Sequence, residues 1–341
     1  MNESIGLAAA LDLDASSDPA AADGSSWLGA RALRRIFVVA NPMAAGGAVG
    51  EQWSETSSML HEVLGPFAWK MTERGGHATE LTRKALDDGF DLIISMGGDG
   101  TLNETVNGFF RDGAPIRPES ALAILPMGTG GDFKRTLGLS GDLREAAERI
   151  RTGQALPADV GHLSFVRHDD TPGERYFINI ASCGIGGLVD KVVNESSKAL
   201  GGKLSFMLGT LRAWNEFEPP ALQLTIDDRA MARIKVVSVV IANGRYFGGG
   251  MKIAPNAQLD DGLFDVVIIR QMTTREIVPL AYRLYEGRIF ESSAVSHIHA
   301  RKLHAAPVNP REDVLLDIDG EQPGRLPATF TLLEGAVRVV R

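Results

Sequence analysis

From Arg31 to about residue 155, short and continuously apolar runs alternate with stretches of helical periodicity. RRIFVVA is a β-branched strand that stops at Asn41-Pro42. QWSETSSMLHEVL places Trp53, Thr56, Met59, Leu60, Val63 and Leu64 at helical spacing, and HATELTRKALDDG is a second helical pattern closed by Gly89. FDLIISM and ALAILP are apolar throughout or nearly so, which marks strands buried on both faces. TLNETVNGFF and LREAAERIRTG read as helices, the second stopped by Gly153. Strand–helix alternation of this kind predicts an α/β domain: a mostly parallel sheet within a three-layer arrangement.

The texture changes after Asp159. RYFINIA, ALQLTID, RIKVVSVVIAN, GLFDVVIIR, VLLDIDG and ATFTLLEGAVRVV alternate at period two with close turns, which predicts a mainly antiparallel β-sandwich. Helical patterns interrupt them at GLVDKVVNESSKAL, KLSFMLGTLRAW and TTREIVPLAYRLYEG. For the apolar positions of KLSFMLGTLRAWNEF, core packing is favoured over an acyl-chain cleft or a membrane face. The expected organisation is a disordered Ala/Asp/Ser-rich arm over residues 1–30, an α/β domain over 31–158 and a sandwich domain over 159–341.

Charge narrows the partners. The net charge of −8 argues against a nucleic-acid backbone, whose phosphates require a basic face. A small anion remains accessible to backbone N–H groups. Cys183 is the single cysteine, so no internal disulfide forms, and its apolar surroundings suit a packing role in a reducing cytoplasm. The N-terminal stretch lacks the basic start and unbroken apolar centre of a secretory signal. No apolar run approaches the roughly 20 residues that span a bilayer. Oligomeric state is not legible, and a homodimer is left open.

Chemistry concentrates in three glycine-bearing turns at the C-terminal ends of predicted strands: NPMAAGG (41–47), GGDGTLN (97–103) and PMGTGGD (126–132). Ligands of open α/β sheets bind outside those strand ends. Free N–H groups and helix N-termini attract phosphate there. Any one of these turns is equally well a tight turn; three at one sheet edge point to a ligand. No G-x-x-x-x-G-K-[ST] is present, and neither GGDGTLN nor CGIGGLVD (183–190) supplies the third glycine of a dinucleotide fingerprint.

GGDGTLNE followed by PMGTGGDFKR resembles the lipid-kinase family that includes diacylglycerol and sphingosine kinases, and most of all its soluble bacterial diacylglycerol-kinase-like branch. The small, glycine-rich turn after Asn41-Pro42, Thr72 ahead of Gly76-His77-Ala78, PADVG (157–161), APNAQLDDGLFDV (254–266) and LDIDGE (316–321) follow the family's landmarks in order. Two positions depart: Gly131 stands where the family usually has Asn, and Ala44-Ala45 delay the glycine of the first turn by one residue.

The resemblance implies a cytoplasmic kinase, peripheral to the membrane in transient contact, that moves phosphate from ATP to a lipid hydroxyl such as that of diacylglycerol. It implies an ATP site lined by Asn41, Gly46, Thr72, Gly97, Gly98, Asp99, Gly100, Thr101, Leu102, Asn103, Gly128 and Thr129. Asp132, Asp159 and Asp261 resemble the carboxylates of a Mg²⁺-associated network, and the Gln258–Leu263 loop, ending at Leu263, lends carbonyls to a metal. Asp319 and Glu321 resemble the catalytic pair, one of them the base, with Asp99 across from them in an interdomain cleft. These types suit the chemistry. Phosphoryl transfer relies on positioning and charge neutralisation, Mg²⁺ takes oxygen ligands, and a positioned base contributes roughly 10²–10⁴ in rate.

Alternatives stand beside these roles. Asp319-Gly320 and Asp261-Gly262 are also good turn dipeptides, and Asp159 after Pro157 is also a turn or cap residue. His77 is read as a structural loop residue. His297, His299 and His304 are close in sequence, but no carboxylate or cysteine set near them completes a zinc site. Two rival functions share parts of the pattern: an NAD kinase, which has GGDGT, and a catalytically silent lipid- or nucleotide-binding regulator.

Overall fold

The computed structural model describes residues 35–127, 131–185, 218–231 and 233–341. The arm expected over residues 1–30 and the helical patterns expected within 187–214 lie outside the described residues. The described chain forms two compact units, one comprising residues up to Ala158 together with Ala336–Arg341, the other Asp159–Gly335.

The first unit holds strands β1 (Ile36–Ala40), β2 (Ala68–Met71), β3 (Leu92–Gly97) and β4 (Ala121–Pro126). They run parallel in the order β2-β1-β3-β4, and Arg338 and Val339 of the final strand continue the sheet beside Ala121 and Leu122. β1, β3 and β4 are buried at every position, as apolar runs covered on both faces must be.

Helices α1 (Trp53–Leu64), α2 (His77–Asp87), α3 (Asp99–Gly108), α4 (Asp132–Thr136) and α5 (Leu143–Thr152) accompany the sheet. Trp53, Leu60, Val63 and Leu64 of α1 and Ala146, Ala147 and Ile150 of α5 pack with Val38, Ile94 and Ala123 on one face. α2 and α3 pack against each other through Gly108, whose Cβ would fall 2.4 Å from the Thr82 side chain. Asp142 caps α5 by accepting the Glu145 N–H at 2.8 Å. α3 ends at Gly108, so Phe110 belongs to a short strand, Phe110–Arg111, and not to the helix read through it. β2 escaped the sequence reading because it is a four-residue edge strand with Trp69 and Lys70 exposed.

The second unit is a β-sandwich. One sheet contains β5 (Ala155–Arg167, entering from the first unit), β6 (Pro172–Phe177), β8 (Ala221–Ile226), β12 (Lys302–Pro307) and β14 (Gly324–Val340). The other contains β7 (Ile180–Gly184), β9 (Ile234–Ala242), β10 (Phe264–Arg270), β11 (Val295–Ala300) and β13 (Leu316–Ile318) in the antiparallel order β11-β10-β9-β7-β13. Leu163, Phe177, Leu224 and Phe330 from the first sheet meet Cys183, Val239, Phe264 and Leu316 from the second in one core. Helix α6 (Thr274–Glu286) contributes Leu280 to a smaller core on the outer face of the second sheet. RYFINIA forms two strands, with Ile178-Asn179 as the break. Burial pushes the Cys183 thiol up to about 12, against weak relief from the Val239 backbone.

Candidate functional site

β1, β3 and β4 are sheet neighbours, so the chain leaves their C-terminal ends side by side. Asn41 donates its N–H to the Met96 carbonyl at 2.9 Å, and Met127 donates to Gly97 at 3.0 Å, which stitches the three exits together. The Asn41 Nδ2 donates to Thr101 Oγ1 at 3.1 Å, and its Oδ1 accepts from the Met43 N–H. Thr72 donates its N–H to the Ala40 carbonyl at 2.8 Å, so it too stands beside the end of β1. Gly46 lies in the turn Ala44–Gly47 at φ 73°, after Ala45 at φ 54°. Ala45 thus occupies left-handed backbone at a position the family more often gives to glycine, a strain of about 1–2 kcal/mol.

GGDGTLN divides by exposure. Gly98, Asp99 and Gly100 are half-buried, whereas the side chains of Thr101, Leu102 and Asn103 are buried within the unit. Those last three are expected along the nucleotide, and Thr101 Oγ1 bonds Asn41 at the first turn. Gly97 is glycine for packing, since a Cβ would sit 2.5 Å from Thr101 Oγ1. Gly98 is different: nothing lies within 4 Å of its would-be Cβ. It caps α3 without a side-chain hydrogen bond, leaving the first-turn N–H groups for a ligand.

Asp99 is the hub of this edge. Its Oδ2 accepts the N–H groups of Gly131 at 3.1 Å and Asp132 at 3.0 Å, and its Oδ1 that of Phe133 at 3.4 Å. The second turn thereby caps α4 and fixes the third turn. Gly131 meets the geometry with φ 68°, a conformation that Asn also tolerates, so the departure at this position preserves the backbone. Asp132 is buried and accepts from Arg135 Nη1 at 2.8 Å. Gly128 and Thr129 lie outside the described residues.

The second unit collects the remaining acids. Asp159 is buried in β5, and its oxygens accept the Gly262 N–H at 2.8 Å and the Gly335 N–H at 2.7 Å. Burial pushes its carboxyl up, opposed by those two N–H donors and reinforced by Asp261 and Glu334. Asp159, expected among metal-associated carboxylates, anchors Gly262 of the 258–263 loop and Gly335 of β14. Its own N–H donates to the Leu259 carbonyl at 2.6 Å. Asp261 and Gln258 are exposed and Leu263 is half-buried; Asp261 Oδ1 accepts the Leu263 N–H at 3.1 Å.

Asp319 and Gly320 both have positive φ, 49° and 85°, and Ile318 and Glu321 exchange hydrogen bonds of 2.8 and 3.0 Å around them. This is the two-residue hairpin the dipeptide predicts. Asp319 Oδ1 also accepts the Ile180 N–H at 2.9 Å. The Glu321 carboxylate forms an ion pair with Arg175.

The relatives of this chain decide its family. Residues 35–163 match the family model of the diacylglycerol kinase catalytic domain, and residues 179–341 match that of the YegS C-terminal NAD kinase beta sandwich-like domain. A protein of Chromohalobacter salexigens named "Probable lipid kinase YegS-like" is 34% identical over 264 residues, covering 75% of this chain and 80% of that protein. The chain belongs to the diacylglycerol kinase family of lipid kinases. The Bacillus subtilis diacylglycerol kinase is 29% identical over 310 residues, 90% of this chain and 96% of that protein. A crystal structure of a candidate diacylglycerol kinase from Bacillus anthracis superposes with a TM-score of 0.72 at 27% identity, covering 90% of this chain and 95% of the other.

In this lipid kinase, several supporting residues carry no sequence signal of their own. Glu104 Oε1 and Oε2 accept the N–H groups of Gly76 and Ala78 at 2.8 and 3.1 Å, tying the GHA stretch to α3. His77 Nδ1 bonds the Glu73 N–H at 3.0 Å, the loop role expected of it. Asn243, fully buried, donates to the carbonyls of Asp159 and Ile178, both at 2.8 Å. The absence of a carboxylate beside the histidines is corrected by the fold: Asp265 lies against His297 and His299. Among the described residues, no helix is long and apolar enough to cross a membrane.

Proposed function

We propose that the protein transfers the γ-phosphate of ATP, with Mg²⁺, to a hydroxyl of a lipid such as diacylglycerol. The observation that carries this reading is the convergence of three strand exits, the first tied to the second by Asn41 and the second to the third by Asp99, beside the uncapped N-terminus of α3. Such an edge presents donors and the positive end of a ten-residue helix to a triphosphate. The one acid in the first turn of α3 is Asp99, and its charge is taken up by backbone N–H groups of the next turn. Gly98 offers the open space that a phosphate at the backbone requires.

The oxygen-only donors here fit Mg²⁺ and not a softer metal. Asp132 is the residue we assign to it in the first unit, and Asp261 with the carbonyls of the 258–263 loop in the second. Bound Mg²⁺ would neutralise charge on the phosphates. Asp319 is assigned as the base, and Glu321 pairs with Arg175. Asp319 takes the acceptor O–H proton, the oxygen forms a bond to the γ-phosphorus, and the bond to the ADP oxygen breaks with its electron pair leaving on ADP. Glu321 and Arg175 position the hairpin.

A lipid acceptor resides in a bilayer, so the reading includes transient peripheral contact from the cytoplasmic side. Tyr282 and Tyr285 of α6, 65% and 56% exposed, have the amphipathic character of residues at a headgroup boundary and support it. The sandwich model's NAD kinase-like description favours one rival, a soluble acceptor such as NAD. The test is labelled ATP with a total lipid extract, with NAD alone in parallel, and mass analysis of any labelled product. A labelled lipid requiring Mg²⁺ is the expected result. Labelled NAD overturns the acceptor, and ATP binding without transfer to either overturns the catalysis.

A further inference from the structure

β10 and β11 pair antiparallel with Asp265 opposite His299 and Val267 opposite His297. Side chains two apart on a strand share a face, so Asp265, His297 and His299 gather on the outer face of the second sheet. His297 Nε2 lies 2.6 Å and His299 Nε2 3.6 Å from Asp265 Oδ1, and the three ligating atoms lie within 4.8 Å of one another. The Asp265 side chain is 2% exposed and that of His299 52%. The His297 ring is stacked on Phe290, centroids 4.5 Å apart and planes 20° from parallel, which fixes the direction of its nitrogens.

We propose that Asp265, His297 and His299 form a binding site for a borderline divalent metal of the Zn²⁺ class. Tetrahedral Zn²⁺ with ligands near 2.0–2.2 Å separates its ligand atoms by about 3.3 Å. The two carboxylate–imidazole separations, 2.6 and 3.6 Å, bracket that value. The remaining adjustment falls on His299, the exposed member, which gives the ion an entrance. Two imidazoles select against Mg²⁺, which prefers all-oxygen shells, and for Zn²⁺, Co²⁺ or Ni²⁺. The site is thus chemically separate from the oxygen donors of the Gln258–Leu263 loop, although Leu263 is only two residues before Asp265. A metal here clips β10 to β11 and leaves a coordination position for water.

The purified full chain, stripped with chelator, is titrated with ZnSO₄ against a chromophoric competitor in excess MgCl₂, and CoCl₂ is followed by its visible ligand-field bands. Wild-type protein is expected to take up one equivalent of Zn²⁺ at this site, with a raised melting temperature. His299→Ala, which removes an exposed side chain and should fold normally, is expected to weaken binding by about 10–100-fold, a loss of the size seen when even an indirect partner of a metal is removed. His297→Ala should weaken it at least as much, and His304→Ala should leave it unchanged. Absence of binding in the wild type, or His299→Ala and His297→Ala binding as tightly as wild type, overturns the proposal and leaves an Asp–His ion pair.

Discussion

Asp319 and Ile180 hold each other by two hydrogen bonds of 2.9 Å, the Ile180 N–H donating to Asp319 Oδ1 and the Asp319 N–H donating to the Ile180 carbonyl. A hairpin tip, ordinarily among the looser parts of a sheet protein, is thereby fastened to the start of β7. Asp319→Asn keeps the size of the side chain and removes the proton acceptor. We expect it to lower kcat by roughly 10²–10⁴ while the nucleotide dissociation constant stays within about twofold. Glu321→Gln should lose less. Steady-state kinetics with nucleotide titration check both, and equal, small losses would sink the base assignment.

Asp99→Ala leaves the N–H groups of Gly131, Asp132 and Phe133 without their acceptor. Loss of a helix cap of this kind costs about 1–3 kcal/mol. We expect a lower urea midpoint and weaker nucleotide binding together, because one carboxylate shapes both turns. Unchanged stability would show that the third turn holds its form unaided.

Adjacent glycines should answer alanine differently. Gly97→Ala drives a Cβ to 2.5 Å from Thr101 Oγ1 inside a packed layer, and we expect a loss of about 1–3 kcal/mol. Gly98→Ala meets nothing within 4 Å. Its folding free energy should stay within about 0.5 kcal/mol, yet ATP affinity should fall, because the new methyl occupies the space assigned to phosphate. Chemical denaturation and a fluorescent-nucleotide titration separate the two effects.

Cys183 should be silent to alkylating reagents at pH 8 in the native protein and react on unfolding, since burial holds its thiol up at about 12. Linkage gives a second readout. The unfolded thiol releases its proton near 9.0 while the folded one retains it. The stabilisation is therefore complete below that value and is lost as pH rises toward the folded one. The slope approaches about 1.4 kcal/mol per pH unit between the two. Cys183→Ala should flatten the alkaline limb of the stability curve.

Much of the fold was written in local pattern. β1, β3 and β4 stood out because burial on both faces demands unbroken apolar runs, and the turns following them because glycine marks special backbone. β2 did not, since an edge strand with exposed Trp69 and Lys70 has no such demand. β11 and β12 were missed for a related reason: VSHIHA and KLHAAP mix histidine, lysine and small residues on surfaces only half covered. At the candidate site, residue types were legible and partners were not. That Asp99 reaches Gly131, that Arg175 pairs with Glu321, and that Asp265 meets two histidines all follow from segments far apart in the chain that the fold brings together, and no spacing rule encodes those.

Gln154 and Arg341 exchange backbone hydrogen bonds of 3.0 Å, and Val339 lies beside Leu122. A nascent chain therefore cannot complete its first sheet until residues 338–341 have been made. The α/β unit waits on the ribosome with one edge open while the sandwich is made, and loss of residues 336–341 would injure the half that was synthesised first.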